Sequence, residues 1–215
     1  IKKITEDTKI IFLSSPNNPC GSSIKNKEIK KLLNTVKGEI IVVVDEAYVE
    51  FSSTESMIKE KNNYNNLIVL RTLSKAFGLA GARCGSMISS NDAIQFLKKM
   101  QPPFCFSTPI VNHIEAVFSS DGIKSANIKI QNIISERDLL RDNIQSLNCV
   151  SKVWESDGNF LLTRFKDIDA VKKKLEKRNI LIGFLKDNSL KDCGRITVGT
   201  KSENNNLINS LNNLN

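Results

Sequence analysis

Residues 71–85 read RTLSKAFGLAGARCG and bring Thr72, Ser74, Lys75 and Arg83 together around Gly78, Gly81 and Gly85. They follow the apolar run NLIVL, which reads as a buried strand. A turn at a strand end uses glycines, but a purely structural one needs neither cation. A phosphate site would use both hydroxyls and the arginine, whose guanidinium is a bidentate fork for anionic oxygens. That leaves Lys75 for amine chemistry. A lysine that forms a Schiff base must lose its proton near neutral pH, which burial or a neighbouring cation favours. Lys75 lies on an apolar turn with Arg83 close in sequence.

Other polar residues also follow predicted strands. Asn17 and Asn18 follow KIIFLSS (9–15), and Asp45 ends EIIVVVD (39–45). Open parallel sheets bind ligands beyond the carboxyl ends of their strands, so three such ends point to one site. A pyridoxal group needs a carboxylate that keeps its ring nitrogen protonated, and Asp45 is placed for that. Tyr48, in DEAYVEF, and Asn18 could hydrogen-bond its ring oxygen. Thr72, Ser74 and Arg83 could hold its phosphate. Plainer readings stand beside each. Asp45 and Glu46 could form a magnesium pair, but the phosphate-loop motif such a pair accompanies is absent. Asn17 and Asn18, between Pro16 and Pro19, could be only a turn, and Arg195 only a surface charge.

The elements that must position these residues follow from periodicity. Residues 25–38 place Ile29, Leu32, Leu33 and Val36 on one helix face, with Gly38 as the stop. Residues 39–45 and 66–72 are continuous apolar runs typical of strands buried on both faces. GSMISS (85–90) is a shorter strand candidate. The alternation predicts parallel βαβ units. Helices are expected over 91–101, 109–119, 124–147 and 167–179, with strands over 159–165, 180–185 and 194–200 and a final helix over 202–214. The expected fold class is α/β: a partial, mostly parallel sheet with flanking helices, plus a small C-terminal α/β domain. The expected boundaries are 1–123 for the larger domain, 124–147 for a connecting helix and 148–215 for the smaller one.

Composition narrows the function classes. The 215 residues are 40% hydrophobic and 25% charged, which suits a chain with a substantial core. The formal charge of +8 comes from scattered lysines and arginines, without a basic run interleaved with aromatics, so nucleic-acid binding is not expected. Cys20, Cys84, Cys105, Cys149 and Cys193 are widely spaced and lack a C-x-x-C pair. Neither a metal site nor a disulfide framework is therefore expected. The single histidine, His113, reads as a structural helix residue. No stretch has the length of an apolar membrane span.

In this order, SSPNNPCG, VVVDEAYVEF, RTLSKAFGLAGARCG and GRITVGT resemble the histidinol-phosphate aminotransferases. These are pyridoxal-5'-phosphate enzymes of the aspartate-aminotransferase fold. The resemblance runs from about Ile10 to the C-terminus. It implies that Lys75 carries the cofactor and shuttles the proton, and that Asp45 pairs with the ring nitrogen. Tyr48 and Asn18 would bind the ring oxygen, and Thr72, Ser74 and Arg83 the phosphate. Arg195 would clamp the substrate carboxylate, with Asn159 of GNF lining the substrate region. The implied substrates are histidinol phosphate and the glutamate/2-oxoglutarate pair, in a cytoplasmic homodimer. Cys20 stands where the family pattern NPTG has threonine, a small-for-small change. Family members carry a long region before PNNP, including a phosphate-binding helix start and an aromatic residue over the ring. The chain is thus expected to be a fragment, inactive alone. Another aminotransferase, a threonine-phosphate decarboxylase or an inactive remnant are the alternatives.

Overall fold

The computed structural model describes residues 2–36, 38–212 and 214. Positions 37 and 213, inside two of the expected helices, lie outside the described residues. The chain divides into two compact units, Ile1–Asn17 with Ser23–Ile128, and Asn18–Ser22 with Lys129–Asn215.

The first unit carries a four-stranded sheet in the order β1-β2-β3-β4. Its strands are β1 (Ile10–Ser14), β2 (Ile41–Asp45), β3 (Leu67–Thr72) and β4 (Gly85–Ile88). β1, β2 and β3 are parallel, with Ser14 opposite Asp45 and Asp45 opposite Leu70. Helix α1 (Asn26–Val36) supplies the crossover between β1 and β2. It buries Ile29, Leu33 and Val36 against Val42, Val44, Leu67 and Val69. β2 fills the interior on both faces, which its β-branched run anticipates. β1 lies at the sheet edge and leaves Phe12 69% exposed.

β4, whose direction the sequence pattern leaves open, pairs antiparallel with β3, Gly85 opposite Thr72, so the sheet is mostly but not wholly parallel. A parallel return needs a crossover that climbs back along the sheet. Here the 73–84 loop closes on itself through Leu73 N–H to the Cys84 carbonyl (3.1 Å) and Leu79 N–H to the Leu73 carbonyl (2.9 Å). Helices α2 (Asn91–Lys98) and α3 (Thr108–Phe118) complete the unit, and α4 (Ser120–Gln145) runs from it into the second.

The second unit holds a wholly antiparallel sheet in the order β5-β6-β8-β7. Its elements are β5 (Val150–Val153), β6 (Phe160–Phe165), α5 (Ile168–Lys177), β7 (Gly183–Phe184), β8 (Cys193–Thr197) and α6 (Lys201–Asn212). β5 is too short and polar to stand out by pattern. The expected strand over 180–185 forms only at Gly183–Phe184, because Asn179 turns the backbone left-handed (φ 54°) just before it. Helix starts are capped as their sequences suggest. Asp167 accepts from the Asp169 and Ala170 N–H groups of α5, and Thr200 and Glu203 form a capping box on α6. Leu140, Ile144, Leu161, Phe165, Val171 and Leu175 form the core of this unit.

Leu161, the second residue of β6, is fully buried. Leu161→Ala should destabilise the fold by about 2–5 kcal/mol, read from denaturant unfolding, because it leaves a cavity that rigid neighbours cannot close. A loss of under about 1 kcal/mol would show that this core is not close-packed.

Candidate active site

The candidate residues fall into two groups, one in each unit. In the first unit, parallel pairing carries the carboxyl ends of β1, β2 and β3 to one edge of the sheet. Asp45 closes β2, half-buried, and its Oδ1 accepts the Ala47 N–H (3.0 Å). Tyr48 is 7% exposed and starts a short 3₁₀ turn over Val49–Phe51. Lys75, three residues beyond β3, places Nζ 5.3 Å from the centroid of the Tyr48 ring. Lys75 is exposed, because the tight turn after β3 faces it outward while Ala76 packs inward.

The hydroxyls also meet. Thr72 Oγ1 donates to Ser74 Oγ (2.9 Å) and accepts the Ser74 N–H (3.1 Å). Thr72 Oγ1 also reaches the Cys84 carbonyl (3.4 Å), so the 72–74 and 83–85 segments lie side by side. Arg83 occupies the left-handed region (φ 50°), and its Nη1 donates to the Ala80 carbonyl (2.9 Å). Two hydroxyls, an ammonium and a guanidinium in one loop can bind an anion.

Beneath this loop lies a charge network that pattern reading missed. Glu46 is 2% exposed. It accepts from the Met57 N–H (2.7 Å) and Ser56 Oγ (2.5 Å). Arg71 Nη1 stands 3.6 Å from it, and Arg71 Nη2 bonds Glu50 Oε1 (2.6 Å). Both Glu46 oxygens are therefore engaged, which leaves no magnesium pair with Asp45. The network ties the segment bearing Tyr48 to the strand that leads into Thr72. Its signal in the sequence was the position of Arg71, directly before Thr72.

In the second unit, Arg195 lies on β8 and its Nη1 donates to Asn18 Oδ1 (2.9 Å). The Asn18 amide is thus already engaged by an arginine, a contact the sequence reading did not assign. The guanidinium also lies over the Phe160 ring, 5.2 Å from its centroid. Asn159 precedes β6, and its carbonyl accepts the Val198 N–H (3.0 Å). A groove of about 620 Å³ runs beside Arg195, Gly183 and Asn206. His113, in α3, is exposed and caps its own turn through Nδ1 and the Pro109 carbonyl (2.8 Å).

With this geometry in hand, comparison with known proteins is decisive at the level of family. The family model for class I and II aminotransferases matches residues 1–211. The chain belongs to the class I and II aminotransferase family. Among curated proteins it is 36% identical over 212 residues to histidinol-phosphate aminotransferase 1 of Pasteurella multocida, covering 98% of this chain and 60% of that protein. The chain spans about three fifths of the length of the curated relatives it matches. Its fold matches that of histidinol-phosphate aminotransferase from Clostridium acetobutylicum, with a TM-score of 0.84 at 21% identity, over 96% of this chain and 64% of that one. It also matches the enzyme of that name from Sinorhizobium meliloti, solved in complex with pyridoxal-5'-phosphate, with a TM-score of 0.80 at 24% identity over 94% and 56%. These likenesses show the aspartate-aminotransferase fold.

The buried carboxyl of this class I and II chain carries a pH signature. Burial, chiefly, pushes the Glu46 carboxyl above its ordinary value of 4.5, while Ser56, Met57 and Arg71 pull the other way. A carboxyl raised on folding binds its proton more tightly in the native state. Its contribution to stability is therefore greatest below pH 4.5 and declines as pH rises through the folded value. Unfolding of wild type and Glu46→Gln should be compared from pH 4 to pH 8. The wild type should lose stability relative to the variant as pH rises through that window. A difference that is flat across it, or grows with pH, contradicts the shift.

Proposed function

We propose that this protein is a pyridoxal-phosphate-dependent histidinol-phosphate aminotransferase, with the glutamate/2-oxoglutarate pair as its second substrate. The observation that carries the reading is the placement of Lys75 over the Tyr48 ring, in a unit whose strand ends also carry the bonded Thr72–Ser74 hydroxyls and the carboxylate of Asp45. This donor set fits a phosphorylated pyridine aldehyde. It offers an amine for the aldehyde and hydroxyls with a guanidinium for the phosphate. It also offers a carboxylate whose Oδ2 takes no bond among the described residues, for the ring nitrogen. Thr72, Ser74 and Arg83 would hold the phosphate, Asp45 the ring nitrogen, Tyr48 and Asn18 the ring oxygen, and Lys75 the aldehyde carbon.

When bound, pyridoxal phosphate supplies an electron sink for the pair left on the substrate carbon as its proton departs. Lys75 Nζ takes that proton and returns it elsewhere, which requires a neutral amine on a side chain long and exposed enough to swing. Asp45 holds a proton on the ring nitrogen by keeping a negative charge beside it. Arg195, backed by Asn18, offers its guanidinium to a substrate carboxylate, and Asn159 lines the same substrate region. The substrate assignment draws on the names of the curated relatives and on the motif resemblance. So do the proposals that the enzyme acts in the cytoplasm and works as a homodimer. Among the described residues, no helix is long and apolar enough to cross a membrane.

Borohydride reduction of the cofactor-loaded full-length protein should fix a pyridoxyl label to the peptide containing Lys75, and Lys75→Ala should carry none. A label on another lysine sinks the assignment. Asp45→Asn should lower kcat by about 10²–10³-fold, because a preorganised charge beside the reacting system is lost. Turnover within a few-fold of wild type would remove Asp45 from the chemistry.

A further inference from the structure

Arg195 is held from beneath as well as from the side. In the register of β6 and β8, Leu162 stands opposite Arg195. Phe160 lies two residues along β6, on the same face of the sheet, so it is the diagonal neighbour of Arg195. Its ring is 2% exposed, and the guanidinium carbon sits 5.2 Å from its centroid. On the opposite flank, β7 places Gly183 against Arg195, where no side chain competes for the space. The arginine therefore has a ring on one side, an amide oxygen at its tip and an open flank on the other.

The ring itself is fixed by the turn before it. A methyl group on Gly158 would lie 2.8 Å from Phe160 Cε1, so glycine is what allows the ring to sit there. The Gly158 carbonyl accepts from Nη1 of the buried Arg137 (3.1 Å), and the Gly158 N–H donates to Ser156 Oγ (3.0 Å). One residue earlier, the Asp157 N–H donates to the Gly21 carbonyl (2.7 Å), in the loop that carries Asn18. Gly21 has a positive φ of 79° and packs directly on Ser156 Oγ, leaving no room for a side chain. The 156–158 turn thus supports both partners of Arg195, Phe160 directly and Asn18 through Gly21.

We propose that Phe160 is a positioning residue for Arg195: the ring, locked by the 156–158 turn and Arg137, aims the guanidinium and so sets affinity for a substrate carboxylate. This rests on the reading of Arg195 as a carboxylate clamp. A cation over an aromatic face is attracted by the ring quadrupole, and the attraction strengthens when water is excluded. A guanidinium held in one orientation surrenders less freedom when it grips a carboxylate. The bond to Asn18 occupies Nη1 on one edge, and the stack fixes the plane in which the remaining donors point.

The test uses the full-length protein loaded with pyridoxal phosphate. The probe is glutarate, a dicarboxylate with neither amino nor keto group, followed by calorimetry. The KM and kcat for L-glutamate are measured alongside. Arg195→Gln should weaken glutarate by about 30-fold or more. Phe160→Leu keeps an apolar side chain but removes the ring. It should weaken glutarate and raise the KM for glutamate by about 3- to 30-fold, while kcat and cofactor affinity stay close to wild type. Replacing Phe160 with 3,4,5-trifluorophenylalanine keeps shape and burial but depletes the ring face, and should give an intermediate loss. If Phe160→Leu does not fold, the fluorinated ring decides alone. A fluorinated ring that binds glutarate as tightly as wild type overturns the proposal, as does a Phe160→Leu variant with unchanged affinity. If Arg195→Gln itself leaves glutarate binding unchanged, the clamp reading fails instead, and the two failures are thereby told apart.

Discussion

Parallel pairing of β1, β2 and β3 is the constraint on which the first unit's arrangement of candidate residues depends. Parallel strands end at the same edge, and their register sets Ser14 level with Asp45 and Asp45 level with Leu70. Whatever follows each strand is delivered to that edge without further instruction. The crossover helix α1 makes this possible, because strands joined by a tight turn would run antiparallel. It is held by Ile29, Leu33 and Val36. Core packing and the candidate site are therefore one problem. The apolar face of α1 fixes the direction of β2, and that direction decides where Asp45 appears.

Two kinds of charge share this edge and do different work. Glu46, Glu50 and Arg71 are buried or half-buried and bonded to one another or to backbone. Removing one partner from such a group strands the others in a poor solvent, so the group acts as a fastener. Lys75 and Arg83 are exposed and Asp45 half-buried, so these are the groups open to exchange with a ligand. The alternation within DEAYVEF separates the roles. Asp45 and Glu46 are adjacent, yet the acid that continues the strand direction remains accessible while its neighbour turns inward to Met57 N–H.

Much of the fold was legible because it rests on local pattern. The run IVVV reads as a strand buried on both faces, and the spacing Ile29, Leu33, Val36 reads as a helix face. Pattern failed where pairing partners decide the outcome. GSMI carries no mark of its antiparallel direction, which goes with the closure of the 73–84 loop through Leu73 N–H to the Cys84 carbonyl. ILIGFL looks like a strand, but the left-handed Asn179 leaves only two of its residues in the ladder. For the candidate residues, sequence gave their types and the strand ends they follow. It held nothing about which of them meet. Arg195 and Asn18 are 177 positions apart and bond at 2.9 Å. The network beneath Tyr48 was hidden for a related reason, since a buried acid and a solvated acid share one letter.

The loop 18–22 belongs to the second unit, although its neighbours on both sides along the chain belong to the first. Asp157 N–H and Arg195 find partners on these few residues, and Ser156 packs closely against Gly21. The second unit is therefore not a contiguous module. A chain cut at residue 129 would carry the whole sheet of this unit and its core, yet leave behind the one peptide that bonds Arg195 and Asp157. For anyone swapping this unit between related enzymes, the transferable part is residues 129–215 together with a five-residue graft at 18–22. The graft must bring its own glycine at position 21.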